Sequence, residues 1–331
     1  MLFEPFQLKN IKLKNRTVLP PMCMYSSDAH GFVHDFHVIH YATRAIGGVG
    51  LIIQEATAVD PDGRITTNDL GIWSDEHIEG LKDIVDTVHQ YGVPIGIQIN
   101  HAGRKAKIDN PIGPSAIAFG DYKVPLEMDA DMIHQVVYQF REAARRANAA
   151  GYDLLEIHAA HGYLLFEFLS PLSNKRSDVY KNGVLLLKKV ITAINEVWPK
   201  EKVLAIRVSA FEFIEGGVTP QMISDVINEI KDLGIDLVDV STGGNILTKY
   251  EVFPGYQLKY ADFVKKHTGL PVIGGGMIED LAFADQAIIK NQCDLVYLGR
   301  LLLREPYHVI NHAKDLEADI EYPIQYIRAK K

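Results

Sequence analysis

Cysteine is almost absent from this chain: Cys23 and Cys293 are the two in 331 residues. Two thiols so far apart form no disulfide framework and lack the clustered spacing of a zinc site, so a reducing compartment fits. Basic charge is also short, with 34 Lys plus Arg against 42 Asp plus Glu and a net charge of −8. A polyanion such as nucleic acid would meet an unfavourable average field, although a local basic pocket for one phosphate stays allowed. Long apolar runs are missing too. None approaches membrane-spanning length, and the opening Met1-Leu2-Phe3-Glu4-Pro5-Phe6 has no charged leader ahead of an apolar core. The expectation is a cytoplasmic protein with neither membrane nor nucleic acid as partner. There is no low-complexity segment, no repeat of period 20 to 50 and no linker-like change of composition. What is present, 47% apolar and 23% charged residues, suits a globular chain with a substantial core.

Short runs rich in β-branched residues alternate with longer stretches of helical periodicity, which argues for parallel strands joined by crossover helices. Eight runs are found, at 18–25, 49–55, 93–100, 152–158, 202–209, 235–241, 271–275 and 294–299. Eight is the number of a TIM (β/α)8 barrel, and such barrels exceed 250 residues as one domain, so 1–331 reads as a single domain. Between the runs, Ser74-Asp75-Glu76 opens a helix whose stripe is Leu81, Ile84, Val85 and Val88, with Gly92 placed to end it. Thr219-Pro220 opens another, with Met222, Ile223, Val226, Ile227 and Ile230 as its stripe and Gly234 as its stop. A third, from about 132 to 149, carries Val136, Val137, Phe140, Ala144 and Ala147 and ends at Gly151. Residues 7–14 are expected to form a hairpin plugging the barrel floor. The long loop through Pro111, Gly113, Pro114, Gly120 and Pro125 is expected to be a partial lid.

In this architecture chemistry gathers at the carboxyl ends of the strands. The fourth run leads into His158-Ala159-Ala160-His161-Gly162-Tyr163, and period two sends Glu156 and His158 to the barrel interior. Two imidazoles can grip an electron-rich oxygen while a phenol supplies a proton, as polarising a carbonyl or nitro group requires. His-x-x-His is equally a metal-ligand spacing, and histidine pairs are often structural. The first run ends in Met22-Cys23-Met24-Tyr25, the third in Gln98-Ile99-Asn100 followed by Arg104-Lys105, the fifth in Arg207-Val208-Ser209 and the sixth in Ser241. Gly274-Gly275-Gly276 and Gly299-Arg300 close the last two, where barrels cradle phosphate, though glycine-rich barrel turns are also simply tight turns. Arg207 sits among apolar neighbours and needs an anionic partner, either Glu156 on the adjacent strand or the negative N1 edge of a reduced flavin. Gln98, donor and acceptor at once, suits a flavin's pyrimidine edge. Cys23 reads as a small core residue or as a sulfur tuning a flavin's redox potential. His34, His37 and His40, three apart near a helix start, read as solvated or capping histidines.

At these residues the sequence resembles the old yellow enzyme family of FMN-dependent NAD(P)H ene-reductases, most closely its thermophilic-like subclass with a cysteine ending strand one. The resemblance rests on Pro21-Met22-Cys23-Met24-Tyr25-Ser26, Gly71-Ile72-Trp73-Ser74, Gln98, His101 through Lys105, His158 through Tyr163, Glu167 through Pro171, Arg207-Val208-Ser209 and Gly299-Arg300, and covers essentially the whole chain. It implies an FMN site lined by Pro21, Met22, Cys23, Ala56, Gln98, Arg207, Gly276, Gly299 and Arg300. It further implies that His158 and His161 bind the substrate's activating oxygen, that Tyr163 donates the proton, and that Tyr25 and Lys105 shape the pocket. Gln325-Tyr326-Ile327-Arg328 looks like the segment that in this subclass carries an arginine into a neighbouring subunit's pocket. Arg328 is thus a candidate contact in trans, on a tail 319–331, in a homo-oligomer of two or four subunits. The sequence departs from the family after Tyr180, where two glycines, a serine and a Glu-Asn-Arg triplet are replaced by Lys181-Asn182-Gly183-Val184.

The resemblance implies a two-step cycle in which NADPH or NADH reduces FMN and an activated alkene, nitro compound or quinone then takes the nicotinamide's place. The other reading of the residues is a metal-dependent barrel hydrolase using His158 and His161 as ligands. A Schiff-base aldolase is disfavoured because no lysine lies in the carboxyl half of a run, and a non-catalytic binding barrel is a further reading.

Overall fold

The computed structural model describes residues 1–330. The chain opens with an antiparallel hairpin, β1 (Phe6–Leu8) and β2 (Ile11–Leu13). Eight parallel strands then close into a barrel: β3 (Thr17–Leu19), β4 (Leu51–Ala58), β5 (Ile95–Asn100), β8 (Leu154–Ala159), β9 (Val203–Ser209), β10 (Leu237–Ser241), β11 (Val272–Gly274) and β12 (Leu295–Tyr297), which pairs back with β3. Two short parallel strands outside it, β6 (Ile112–Gly113) and β7 (Leu126–Glu127), brace the loop after β5. This is the TIM barrel expected from eight alternating runs. The strands are buried on both faces, which is why they read as near-continuous apolar stretches.

The floor is closed as expected. Leu8, Ile11 and Leu13 of the hairpin pack against Val18, Leu51, Leu154, Val203, Ala205, Leu237, Ile273 and Leu295 inside the barrel, a core separate from the larger one between strands and helices. One end of the barrel is therefore dry and sealed, and polar interior groups are confined to the other.

The helices outside are α1 (Asp35–Ile46), α2 (Ile78–His89), α3 (Ala130–Ala150), α4 (Leu164–Leu169), α5 (Val184–Asn195), α6 (Pro220–Ile230), α7 (Leu258–Thr268), α8 (Leu281–Ile289), α9 (Gly299–Arg304) and α10 (His308–His312). The stripe Leu81, Ile84, Val85 and Val88 of α2 is wholly buried, and Gly151 ends α3 in a left-handed conformation at φ 96°. Thr219 caps α6 by accepting from Met222 N–H, although Met222 itself stays exposed rather than joining the stripe. Among the described residues no helix is long and apolar enough to cross a membrane.

Two expectations change. The first run is a strand only over Thr17–Leu19, because Pro20 and Pro21 bring no N–H to the ladder; residues 20–26 form an irregular segment across the barrel mouth. His37 and His40 are buried rather than solvated, while the capping expectation holds in that His37 Nδ1 accepts the His34 N–H at 3.0 Å. In the shortened segment after Tyr180, Gly183 takes φ 72° and caps α5 against Phe168, while Asn174 donates to the carbonyls of Phe168 and Tyr180.

Candidate active site

The residues singled out from the strand ends converge on the open end of the barrel. Arg207 on β9 is in register with His158 on β8 and Asp239 on β10, and Gln98 on β5 faces Glu156 on β8. Above the apolar floor the interior is thus a layer of polar side chains almost entirely removed from water.

The partner of Arg207 is Asp239: Nε lies 3.0 Å from Oδ2, both side chains are buried, and an Arg207 Nη donates to the Pro21 carbonyl at 3.4 Å. Glu156 on the other side instead accepts from the Gln98 amide at 2.7 Å. Burial and the nearby Asp239 charge push the Glu156 carboxyl well up from its usual range, which holds it neutral beside the Arg207–Asp239 pair. Asp239 was missed in the sequence, yet the signal was there: alternation along 235–241 places it inward, two residues before Ser241.

At the rim, the rings of His158 and Tyr163 meet edge to face with centroids 4.9 Å apart, and those of His158 and His161 at 5.2 Å. His158 Nδ1 accepts the Ala160 N–H, so its proton is on Nε2. His161 directs Nε2 to Ser241 Oγ at 2.7 Å, which leaves Nδ1 free. His161 also holds φ 57°, a conformation rare for a residue with a side chain and typical of constrained functional sites. Desolvation, with Arg207 and Lys105 nearby, keeps both imidazoles neutral well below their ordinary pKa. Burial likewise raises the Tyr163 phenol, so it stays protonated.

Lys105 reaches the carbonyls of His161 and Gly244 and lies 4.8 Å from the centre of the Tyr163 ring, with Phe119 of the long loop covering its other side at 4.4 Å. Its pKa is lowered to about 8 by burial. Phe119 is the physical content of the expected partial lid. Cys23 and Tyr163 pack on the same small cluster of Ile65, Ala102 and Ala106, while Tyr25, at φ 51°, is half-exposed above them.

A cavity of about 190 Å³ opens beside this layer, bordered by Pro21, Met22, Arg207, Gly276, Gly299 and Arg300. Gly276 has φ 99°, and a Cβ there would come within 2.9 Å of the Tyr256 ring; Gly299 begins α9, and Arg300 is exposed at the cavity edge. These residues fit FMN on structural grounds. Asp239 Oδ1 and Glu156 Oε2 are buried with neither a hydrogen bond nor an ion pair, so a polar ring edge is wanted there, and the glycine-bordered end with Arg300 offers space and charge for a phosphate. Ala56 is buried in β4 beside this layer.

One candidate is not part of this constellation. Arg328 sits on the exposed tail, which is fastened through Tyr322 to the Ile310 carbonyl and by Tyr326 against Tyr307, and no hydrogen bond or ion pair among the described residues brings it to the mouth. Lys331, the last residue of the expected tail, lies outside the described residues. His158 and His161 are also not members of a metal-ligand cluster; the group among the described residues with closely spaced ligand atoms is Glu305, His308 and His312, on the segment after β12.

The model of the NADH:flavin oxidoreductase / NADH oxidase family matches residues 1–319. An NADPH dehydrogenase of Clostridium acetobutylicum is 48% identical over 336 residues, covering 99% of both chains, and one of Bacillus subtilis is 45% identical over 334 residues, covering 99% of this chain and 98% of its own. Among solved structures, morphinone reductase in complex with tetrahydroNAD superposes with a TM-score of 0.81 at 26% identity over 97% of this chain and 92% of its own. The old yellow enzyme homologue from Zymomonas mobilis gives 0.82 at 26% identity over 98% and 95%. The chain therefore belongs to the NADH:flavin oxidoreductase / NADH oxidase family, barrel oxidoreductases that work with FMN.

Proposed function

We propose that the protein is an NAD(P)H-dependent ene-reductase acting on alkenes activated by a carbonyl or nitro group, with maleimides and quinones as related acceptors. The observation that carries this reading is the trio of neutral His158, neutral His161 and protonated Tyr163 around one mouth. Bound FMN supplies hydride transfer, inward from NADPH or NADH and outward to the alkene β-carbon. Pro21, Met22, Cys23, Ala56, Gln98, Arg207, Gly276, Gly299 and Arg300 are the residues assigned to hold it. His158 Nε2–H and His161 donate to the substrate oxygen and stabilise the charge that develops on it. Tyr163 gives its phenolic proton to the α-carbon, while Lys105 fixes the ring and Tyr25 borders the pocket. The same opening takes the nicotinamide and then the alkene, so the two alternate.

The NADPH dehydrogenase relatives support the nicotinamide half of this cycle. The exposed apolar tail residues Ile324, Tyr326 and Ile327 support a homo-oligomer in which Arg328 reaches a neighbouring subunit. The decisive experiment is stopped-flow on Tyr163→Phe. Flavin reduction by NADPH should keep its rate while reoxidation by an enone slows at least about a hundredfold. Equal slowing of both halves would remove Tyr163 as proton donor.

A further inference from the structure

Glu55 takes no part in the chemistry above, yet it is a carboxyl group with 1% exposure lying directly behind the segment that carries Cys23. It occupies an irregularity of the barrel. Strand β4 pairs with β5 through Ile52, Ile53 and Gln54 opposite Ile95, Gly96 and Ile97, but then resumes at Thr57 opposite Ile99, so Glu55 and Ala56 together oppose the single residue Gln98. Such a bulge re-aims side chains. Ile53 packs in the barrel interior, and plain alternation would send Glu55 there as well; the extra residue turns it towards α1 instead.

There its two oxygens have separate tasks. Oε2 accepts the backbone N–H of Met24 at 2.7 Å, in the peptide that joins Cys23 to Met24. Oε1 accepts from the Tyr41 hydroxyl at 3.3 Å, and that hydroxyl in turn accepts Glu55's own N–H at 2.9 Å. His37 completes the enclosure. Its Nδ1 is used as an acceptor for the His34 N–H, so the ring proton is on Nε2, which lies 4.0 Å from Oε1 and has no other partner. A segment without strand pairing, starting with two prolines, is thus tied down at Met24 by a buried carboxylate, as it is at Pro21 by Arg207.

We propose that Glu55 is the positioning residue of the flavin site: by anchoring the Met24 N–H it sets where Cys23 and Tyr25 stand against the cofactor. This rests on the flavin site assigned above. A carboxylate accepts strongly from an amide N–H, and protonation weakens that hold. The position of the segment should therefore follow the ionisation of Glu55, whose pKa burial raises to about 7. The groups facing it are Cys23 and Tyr25 from the segment, Tyr41 and His37 from α1, and Asp69 from the loop after β4. His37 has its pKa lowered to about 4 and stays neutral, the Tyr41 phenol is held protonated well above its usual range, and burial with the Glu55 charge raises the Cys23 thiol. Near neutrality the titrating member of this cluster is Glu55.

The test is a pH titration of the FMN-loaded enzyme, without nicotinamide or alkene, following the visible flavin spectrum from pH 5.5 to 8.5. Wild type should change in a step centred near pH 7, separate from the change near pH 8 that Lys105 and Glu156 give in either protein. Glu55→Gln can still accept the Met24 N–H but cannot ionise, and its spectrum should lack the step near pH 7. Glu55→Ala should weaken FMN binding by about ten- to a hundredfold, as loss of a hydrogen bond to a charged group does. A step near pH 7 of equal size in Glu55→Gln, or a wild type without that step, overturns the proposal. Because no alkene is present, the result is independent of the Tyr163 experiment.

Discussion

Arg207 and Asp239 form an ion pair across neighbouring barrel strands, 3.0 Å apart, with the neutral Glu156 carboxyl on the opposite side. Removing the guanidinium leaves the Asp239 carboxyl buried with no counterion, its pKa already pushed up by burial. Arg207→Ala should cost about 3–5 kcal/mol of stability, the usual penalty for breaking a buried pair from one side. Urea unfolding of the FMN-free protein measures this directly, and a loss below about 1 kcal/mol would mean that water reaches the pair.

The two imidazoles are expected to act through the substrate oxygen rather than through the nicotinamide. His158→Ala should lower the rate of enone reduction by about 10²–10³, the usual effect of deleting one donor to a developing oxyanion. Far-UV circular dichroism should be unchanged, and an unaltered enone rate would assign the oxygen to other groups.

Stability should fall between pH 6.5 and 8. The buried His37, His40 and His101 have pKa values lowered to about 4, 3 and 4, so the unfolded chain binds more protons than the fold below pH 6.5 and stability falls with acid. Glu55 and Glu167, raised by burial to about 7 and about 8, act in the opposite sense: the fold binds more protons than the unfolded chain, so stability falls as pH rises from about 4.5 to 8. Below pH 6.5 the lowered histidines, His158 and His161 among them, and the raised carboxyls, Glu156 among them, oppose one another, and from pH 6.5 to 8 only the carboxyls remain. Thermal melts against pH should show this fall, and Glu167→Gln should flatten it.

Gly183 is the hinge on which the shortened loop after Tyr180 turns. A side chain there must accept φ 72° and would strike the Phe168 carbonyl. Gly183→Ala should therefore destabilise the protein by about 1–3 kcal/mol. A melting temperature within a degree of wild type would show that the loop relaxes freely.

Much of this was legible beforehand because it depends on local period and composition. The eight runs, the α2 stripe, the floor hairpin and the inward pair Glu156 and His158 all follow from alternation or helical spacing. The resemblance to a known family supplied the cofactor, which spacing could not. Three features escaped. The first strand stops at Leu19 because two prolines outweigh the apolar run, His37 is buried beside Glu55 of β4 and His40 beside Tyr41, and the extra residue at Glu55 appears only when the partner strand is counted.

The sequence by itself determined the barrel and the inventory of its mouth, since strand number, period and strand-end chemistry are properties of short stretches of chain. Which charge answers which was decided only in three dimensions. Arg207 had a carboxylate on each side, and the closure of the barrel set the guanidinium against Asp239 and left Glu156 to Gln98. The bulge turned Glu55 away from the interior to hold Met24, over thirty residues earlier in the chain. Both outcomes depend on register between strands, which no single strand's sequence contains.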